Sequence, residues 1–95
     1  MTDGFKKAIG LLMFHNIPFE YNNSEYGEFL LGGHFVNHDR KWENWKWEID
    51  DAPSNKHGIA FQPTYFTHDM DHSISVHEAI KKIIEIENTA LTDKT

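Results

Sequence analysis

The stretch WKWEID, residues 45–50, alternates apolar and charged residues with a strict period of two. Successive side chains of a β-strand point to opposite faces, so this period predicts a strand with one buried and one solvent-facing side. We expect Trp45, Trp47 and Ile49 to face the core. The charged residues between them then take the solvent-facing side.

A hairpin is predicted on the C-terminal side of this strand. Residues 50–58 are rich in Asp, Pro, Ser, Asn and Gly, which favour turns, and alternation resumes at Ile59, Phe61 and Tyr65. Because proline has no N–H to donate to a neighbouring strand, we expect Pro63 to lie on an edge strand or at a bulge.

Another hairpin is predicted on the N-terminal side. Residues 17–21 alternate, which indicates a strand, and the turn-forming residues 22–24 separate it from a strand that begins at Tyr26. The glycine pair at 32–33 is expected to end that strand or to form a bulge in it. We expect residues 34–41 to form a loop.

An amphipathic helix is predicted over about residues 4–15, because apolar residues recur there at helical spacing. Asp3 is placed to cap its first turn. Asn16 favours the left-handed conformation that ends a helix, and Pro18 prevents its continuation. The chain should therefore leave this helix in an extended conformation.

A second helix is predicted to begin after Ser75, because Ser75 and Glu78 have the spacing of a capping box. Its buried stripe consists of apolar residues at helical spacing: Val76, Ala79, Ile80, Ile83 and Ile86. The chain from about residue 88 is polar, and we expect it to be a disordered tail.

These elements predict a single small domain over residues 1–95 with an α+β fold. The order is helix, four strands and helix (α-β-β-β-β-α), and each connection between strands is short enough for antiparallel pairing. An antiparallel sheet of about four strands with both helices packed on one face buries all the apolar stripes. The other face of the sheet is then left to solvent.

Composition limits the classes of function. Fifteen acidic residues against nine basic ones give a formal net charge of −6. The average field of such a protein repels nucleic acid and anionic membranes, so we expect no direct binding to either. The chain has no cysteine, no signal-like N-terminus and no long apolar run, which together favour a cytoplasmic protein.

The most metal-like stretch is HDMDH, residues 68–72. Imidazole nitrogens and carboxylate oxygens bind zinc, manganese or iron when three or four of them converge. The candidate ligands of a divalent metal are His68, Asp69, Asp71, His72 and His77. Because the stretch lies between a predicted strand and a capped helix, a solvated loop explains the same residues, and we expect no cofactor.

A protein-binding surface is predicted on the open face of the sheet. Trp42 lies outside the alternation of the central strand, and exposed aromatic rings often anchor protein interfaces. The acidic residues assigned to the same surface are Glu28, Glu43, Glu48, Asp50 and Asp51. Such a surface is complementary to a protein partner with a basic surface.

The leading hypothesis is therefore a small acidic binding module, rather than an enzyme, that inhibits or regulates a partner such as a nucleic-acid-handling enzyme. In character it is similar to the small acidic inhibitors by which phages block host nucleases or defence systems.

Two alternatives stay open: a metal-binding domain or small metal-dependent hydrolase built on residues 68–77, and a binder of small ligands or nucleotides. The ligand pocket would be lined by Trp42, Trp47 and Tyr65. The protein is expected to be a monomer, or a homodimer joined through an open sheet edge.

Overall fold

The computed structural model of the chain describes residues 1–33, 35–37 and 42–92. This part of the chain contains two helices and six strands. In chain order they are α1 (Asp3–Phe14), β1 (Glu20–Ser24), β2 (Gly27–Gly32), β3 (Phe35–Asn37), β4 (Trp42–Asn44), β5 (Trp47–Asp51), β6 (Ile59–Gln62) and α2 (Val76–Thr92).

Four of the strands form one antiparallel sheet in the order β1-β2-β5-β6. These strands have the same order in the sheet as in the chain. The short β3–β4 pair comes between β2 and β5 along the chain. The predicted α+β fold is therefore confirmed, with a first helix, four strands in one antiparallel sheet and a final helix.

The third strand lies where a loop was predicted, and the fourth begins directly after that predicted loop. β3 pairs with β4, and their first pair, Phe35↔Asn44, continues the register of β2 and β5, which ends at Gly32↔Trp47. Two residues separate β2 from β3 and two separate β4 from β5, so the pairing continues without a shift in register. The loop prediction is wrong for residues 35–37, and its other residues lie outside the described part of the chain. β3 and β4 thus extend the central hairpin beyond the four-stranded sheet.

The first hairpin differs from the sequence prediction in its bounds. β1 begins at Glu20, and all five of its residues are exposed. The turn consists of Glu25 and Tyr26 instead of residues 22–24. Ile17 is buried, but it belongs to the connection after α1, where its N–H donates a hydrogen bond to a carbonyl oxygen of that helix. The alternation in residues 17–21 therefore reflects burial at the end of α1 and not a strand with a buried face.

The core lies between the two helices and one face of the sheet. The sheet side consists of Leu30, Trp47, Ile49, Ile59 and Phe61. The helix side consists of Phe5, Ala8, Leu12, Val76, Ala79, Ile80, Ile83 and Ile86. Both helices therefore cover the same face, as the two apolar stripes in the sequence predict.

Local signals set the helix ends. Thr2, and not Asp3, caps α1, because its hydroxyl accepts a hydrogen bond from a backbone N–H of the first turn at 3.1 Å. Asn16 follows the helix with φ +57°, the left-handed conformation predicted for it. Ser75 Oγ accepts a hydrogen bond from Glu78 N at 3.2 Å, which confirms the predicted cap of α2.

The second helix is longer than predicted. α2 runs to Thr92, so it continues past residue 88, where the disordered tail was expected to begin. A helix ladder can continue beyond the last buried residue of its stripe, and helix ends are the least certain feature of a sequence pattern. In the described part of the chain, neither helix is long and apolar enough to span a membrane.

The largest buried side chain fits because its strand neighbour has no side chain. Trp47 is fully buried, and its Nε1 donates a hydrogen bond to Glu87 Oε1 of α2 at 3.1 Å. Gly32 pairs with Trp47, and a Cβ placed on Gly32 would lie 2.1 Å from Trp47 Cζ2. Packing, and not only the end of a strand, therefore requires a glycine at position 32.

Gly32→Ala should destabilise the protein, because the added methyl group overlaps the indole ring of Trp47. We expect the free energy of unfolding to fall by about 1 to 3 kcal/mol, the usual cost of overpacking a core. Chemical denaturation measures this change. The matched control is Gly10→Ala in α1, where a Cβ meets no atom within 4 Å and should stabilise the helix by about 0.5 to 1 kcal/mol. Changes of the same sign in both variants would contradict the prediction.

Candidate functional site

The candidate site is the face of the four-stranded sheet that the helices do not cover. Residues paired across antiparallel strands share a face, so the register defines two rows of side chains on it. One row is Glu20, Leu31, Glu48 and Gln62, and the other is Asn22, Phe29, Asp50 and Ala60. This face, called the open face below, therefore combines apolar side chains with carboxylates.

The middle of the open face is partly enclosed. Ala60 is only 3% exposed, and Phe29 and Asp50 of the same row are half-buried. Asp50 pairs with Phe29 on one side and with Ala60 on the other. Its carboxyl group therefore lies in surroundings that are more apolar than those of an ordinary surface aspartate.

Glu48 and Asp50 form a carboxyl pair on this face, because alternate residues of a strand point the same way. Burial, a hydrogen bond with the Glu48 side chain and the negative charge of Glu48 raise the pKa of Asp50 to about 8. Oδ1 of Asp50 is buried and has no hydrogen-bond partner among the described residues. At neutral pH the pair holds a proton and leaves one buried acceptor unsatisfied.

Glu28 and Asp51, which were also predicted to bind a partner, lie on the opposite face, at the edge of the core. Asp51 Oδ1 accepts a hydrogen bond from Thr2 N at 2.9 Å, and Glu28 Oε2 accepts one from the Tyr21 hydroxyl at 2.5 Å. The amine of Met1 lies 3.6 Å from a carboxylate oxygen of each. Burial alone would raise the pKa of Asp51, but the hydrogen bonds from Thr2 and the charge of this amine lower it. Both carboxylates thus hold the segment that precedes α1.

The aromatic residues assigned to a ligand pocket have different environments. Trp47 is fully buried and hydrogen-bonded to Glu87, so it has no surface to offer a ligand. The ring of Tyr65 lies 4.9 Å from Nζ of Lys46. The side chain of Trp42, like that of Glu43, lies outside the described part of the structure.

The predicted metal ligands do not converge. Among the residues that the structure describes, no three His, Asp or Glu side chains could hold one ion together. Asp71 Oδ1 instead accepts hydrogen bonds from Ser73 N and Oγ at 2.9 and 3.1 Å, and the first of these lowers the pKa of Asp71. His77 lines an open groove of about 380 Å³ formed by the two helices, together with His15. The other candidates, His68, Asp69 and His72, are exposed in the segment between β6 and α2.

Sequence reasoning missed the apolar part of the site. Alternation puts Phe29 and Leu31 on one side of β2, but apolar residues occur on both sides of that strand, and alternation alone does not say which side is buried. Gly32 carries the missing signal, since a strand neighbour of a buried tryptophan needs to be small. Leu30 has the same parity as Gly32 and faces the core, which puts Phe29 and Leu31 on the open face.

Comparisons of this chain with protein-family models, with curated proteins and with solved structures found no match. The fold by itself is compatible with many functions, and the chemistry of the open face is what distinguishes among them.

The stability of the protein should fall as the pH rises, because of Asp50. The folded protein keeps the Asp50 proton up to about pH 8, whereas the unfolded chain releases it near pH 4, so ionisation favours unfolding between these values. When the pH is raised from 5 to 9, the unfolding free energy of Asp50→Asn should increase by about 1 to 3 kcal/mol relative to that of wild type. This magnitude allows for the partial solvent exposure of the carboxyl group. Urea denaturation at both pH values measures it, and parallel profiles of the two proteins would contradict it.

Proposed function

We propose that this protein is a binding module whose open face docks onto a basic surface of another protein and thereby inhibits or regulates it. The observation that carries the proposal is the Glu48–Asp50 pair. These two carboxyl groups lie in a half-apolar face, and Oδ1 of Asp50 is buried without a partner among the described residues. Such an arrangement lowers stability and is therefore more easily explained by binding than by folding.

A partner's arginine or lysine would satisfy the pair. Its cation would take the place of the proton and balance the charges of Glu48 and Asp50. The methylene stem of the same side chain would pack on Phe29 and Leu31, which are half-buried on the same face. The net charge of −6 adds long-range attraction towards a basic surface.

A nucleic-acid-handling enzyme is the kind of partner that this chemistry favours. Such enzymes hold phosphates with clustered lysine and arginine side chains, and an acidic face competes for the same cations. Inhibition by occupying that surface is the function we propose, in the manner of phage-encoded inhibitors of host nucleases or defence systems. We place it in the cytoplasm, in keeping with a chain that contains no cysteine.

Loss of either carboxyl group of the pair should weaken capture of the partner. Wild type, Glu48→Gln and Asp50→Asn are immobilised and exposed to cell lysate at low salt, and each captured protein is identified, purified and titrated. We expect either substitution to weaken binding by about tenfold or more, because it leaves a desolvated cation of the partner without its counter-charge.

The matched control for this experiment is Asp69→Asn, which makes the same charge change in an exposed segment outside the open face. It should alter the affinity by no more than about twofold. A partner that binds wild type and Asp50→Asn equally well would show that the interface lies elsewhere. Affinity that increases with salt would contradict an electrostatic interface.

Partner binding should also release a proton from the Glu48–Asp50 pair. Because a cation favours the ionised form of Asp50, the affinity should rise with pH by up to about tenfold per pH unit until about pH 8, and then level off. Calorimetric titration in two buffers of different ionisation enthalpy counts the released protons. Asp50→Asn should lack this release, and equal release from both proteins would contradict the prediction.

A further inference from the structure

β1 is an edge of the four-stranded sheet, and no strand among the described residues pairs with its outer side. It is the outer strand on one side, and all five of its residues are exposed. The opposite edge, β6, is partly covered, because Phe61 forms two backbone hydrogen bonds with Asp71 and Pro63 follows the strand directly. Of the two edges of the four-stranded sheet, β1 is thus the one that the described residues leave available for pairing with another strand.

The hydrogen bonds of the sheet show which backbone groups of β1 point outward. Phe61 exchanges hydrogen bonds of 2.9 and 2.7 Å with Asp71, so its N–H and C=O point away from β5. These directions alternate along every antiparallel strand. Carried through the register of β5 and β2, the alternation directs the N–H and C=O of Tyr21 and Asn23 away from β2. No hydrogen bond among the described residues uses these four groups.

β1 has few of the features by which sheets prevent edge-to-edge pairing. Protected edges carry charged side chains, above all lysine, or proline or a bulge, and β1 has one charged residue, Glu20 at its start. The strand reads EYNNS, and its register with β2 runs from Glu20↔Leu31 to Ser24↔Gly27 without interruption. An edge of this kind accepts an extended strand easily.

We propose that β1 pairs with β1 of a second copy of this chain, antiparallel and centred on Asn22. In this register Tyr21 lies opposite Asn23 of the second copy and Asn23 opposite its Tyr21. The outward N–H and C=O groups of both residues then form four hydrogen bonds about a twofold axis. This interaction is independent of the partner proposed for the open face.

The side chains of β1 favour a second copy in this register. On the open face, Asn22 meets its own counterpart, and two amide groups can donate to and accept from each other. Glu20 lies opposite Ser24 of the second copy, so no like charges face each other.

Two substitutions to lysine on the same face of β1 test both the contact and its register. Asn22→Lys puts two lysines opposite each other and should weaken the dimer by about threefold or more, whereas Ser24→Lys puts lysine opposite Glu20 and should strengthen it by a similar factor. Both substitutions reduce the net negative charge equally. Sedimentation of the purified protein over a wide concentration range measures the dissociation constants, with circular dichroism to verify folding.

Mixing variants provides a second readout. Asn22→Lys mixed with Asn22→Glu should form heterodimers that native mass spectrometry detects, because position 22 faces itself.

A protein that stays monomeric up to millimolar concentration, or equal effects of the two lysine substitutions, would overturn the inference. Since no other protein is present, these results are separate from the capture experiment. Salt also distinguishes the two interactions, because it should strengthen a dimer of two chains of charge −6 and weaken binding to a basic partner.

Discussion

The packing of Trp47 against Gly32 is the contact on which the rest of the structure depends. A fully buried indole ring requires a neighbour without a side chain on the adjacent strand, and this requirement holds β2 and β5 in their register. A slip of one residue would turn Trp47 and Ile49 towards solvent and the carboxylates between and after them towards the helices. Burial of the largest side chain therefore also decides where Glu48 and Asp50 lie.

This register places an ionisable group where it reduces stability. Burial and the neighbouring Glu48 both raise the pKa of Asp50. Among the described residues, no cation lowers this pKa in return. A structural ion pair would have the opposite effect on the pKa, as the amine and the hydrogen bonds near Asp51 do. Of these adjacent aspartates, Asp51 thus supports the fold, whereas Asp50 receives no counter-charge from the described residues.

The open face and the edge of β1 meet along one side of the sheet but depend on different forces. Pairing through β1 rests on directed backbone hydrogen bonds and is opposed by the net charge of −6, whereas docking of a basic surface uses that charge. A dimer joined through β1 would present two open faces on one continuous sheet. Two Glu48–Asp50 pairs would then act on one basic surface, and the second contact would form at a high effective concentration.

The sequence by itself determined the α+β class, both helices and the strand in which Glu48 and Asp50 share a face, because periods of 3.6 and 2 and the cap at Ser75 are local patterns. It did not determine that β3 and β4 lengthen the central hairpin, or that Glu28 and Asp51 hold the segment before α1. The raised pKa of Asp50 and the free edge of β1 were likewise decided only by the tertiary structure. These features depend on which strands pair and which face the helices cover, and that choice is made by burial of the whole chain at once.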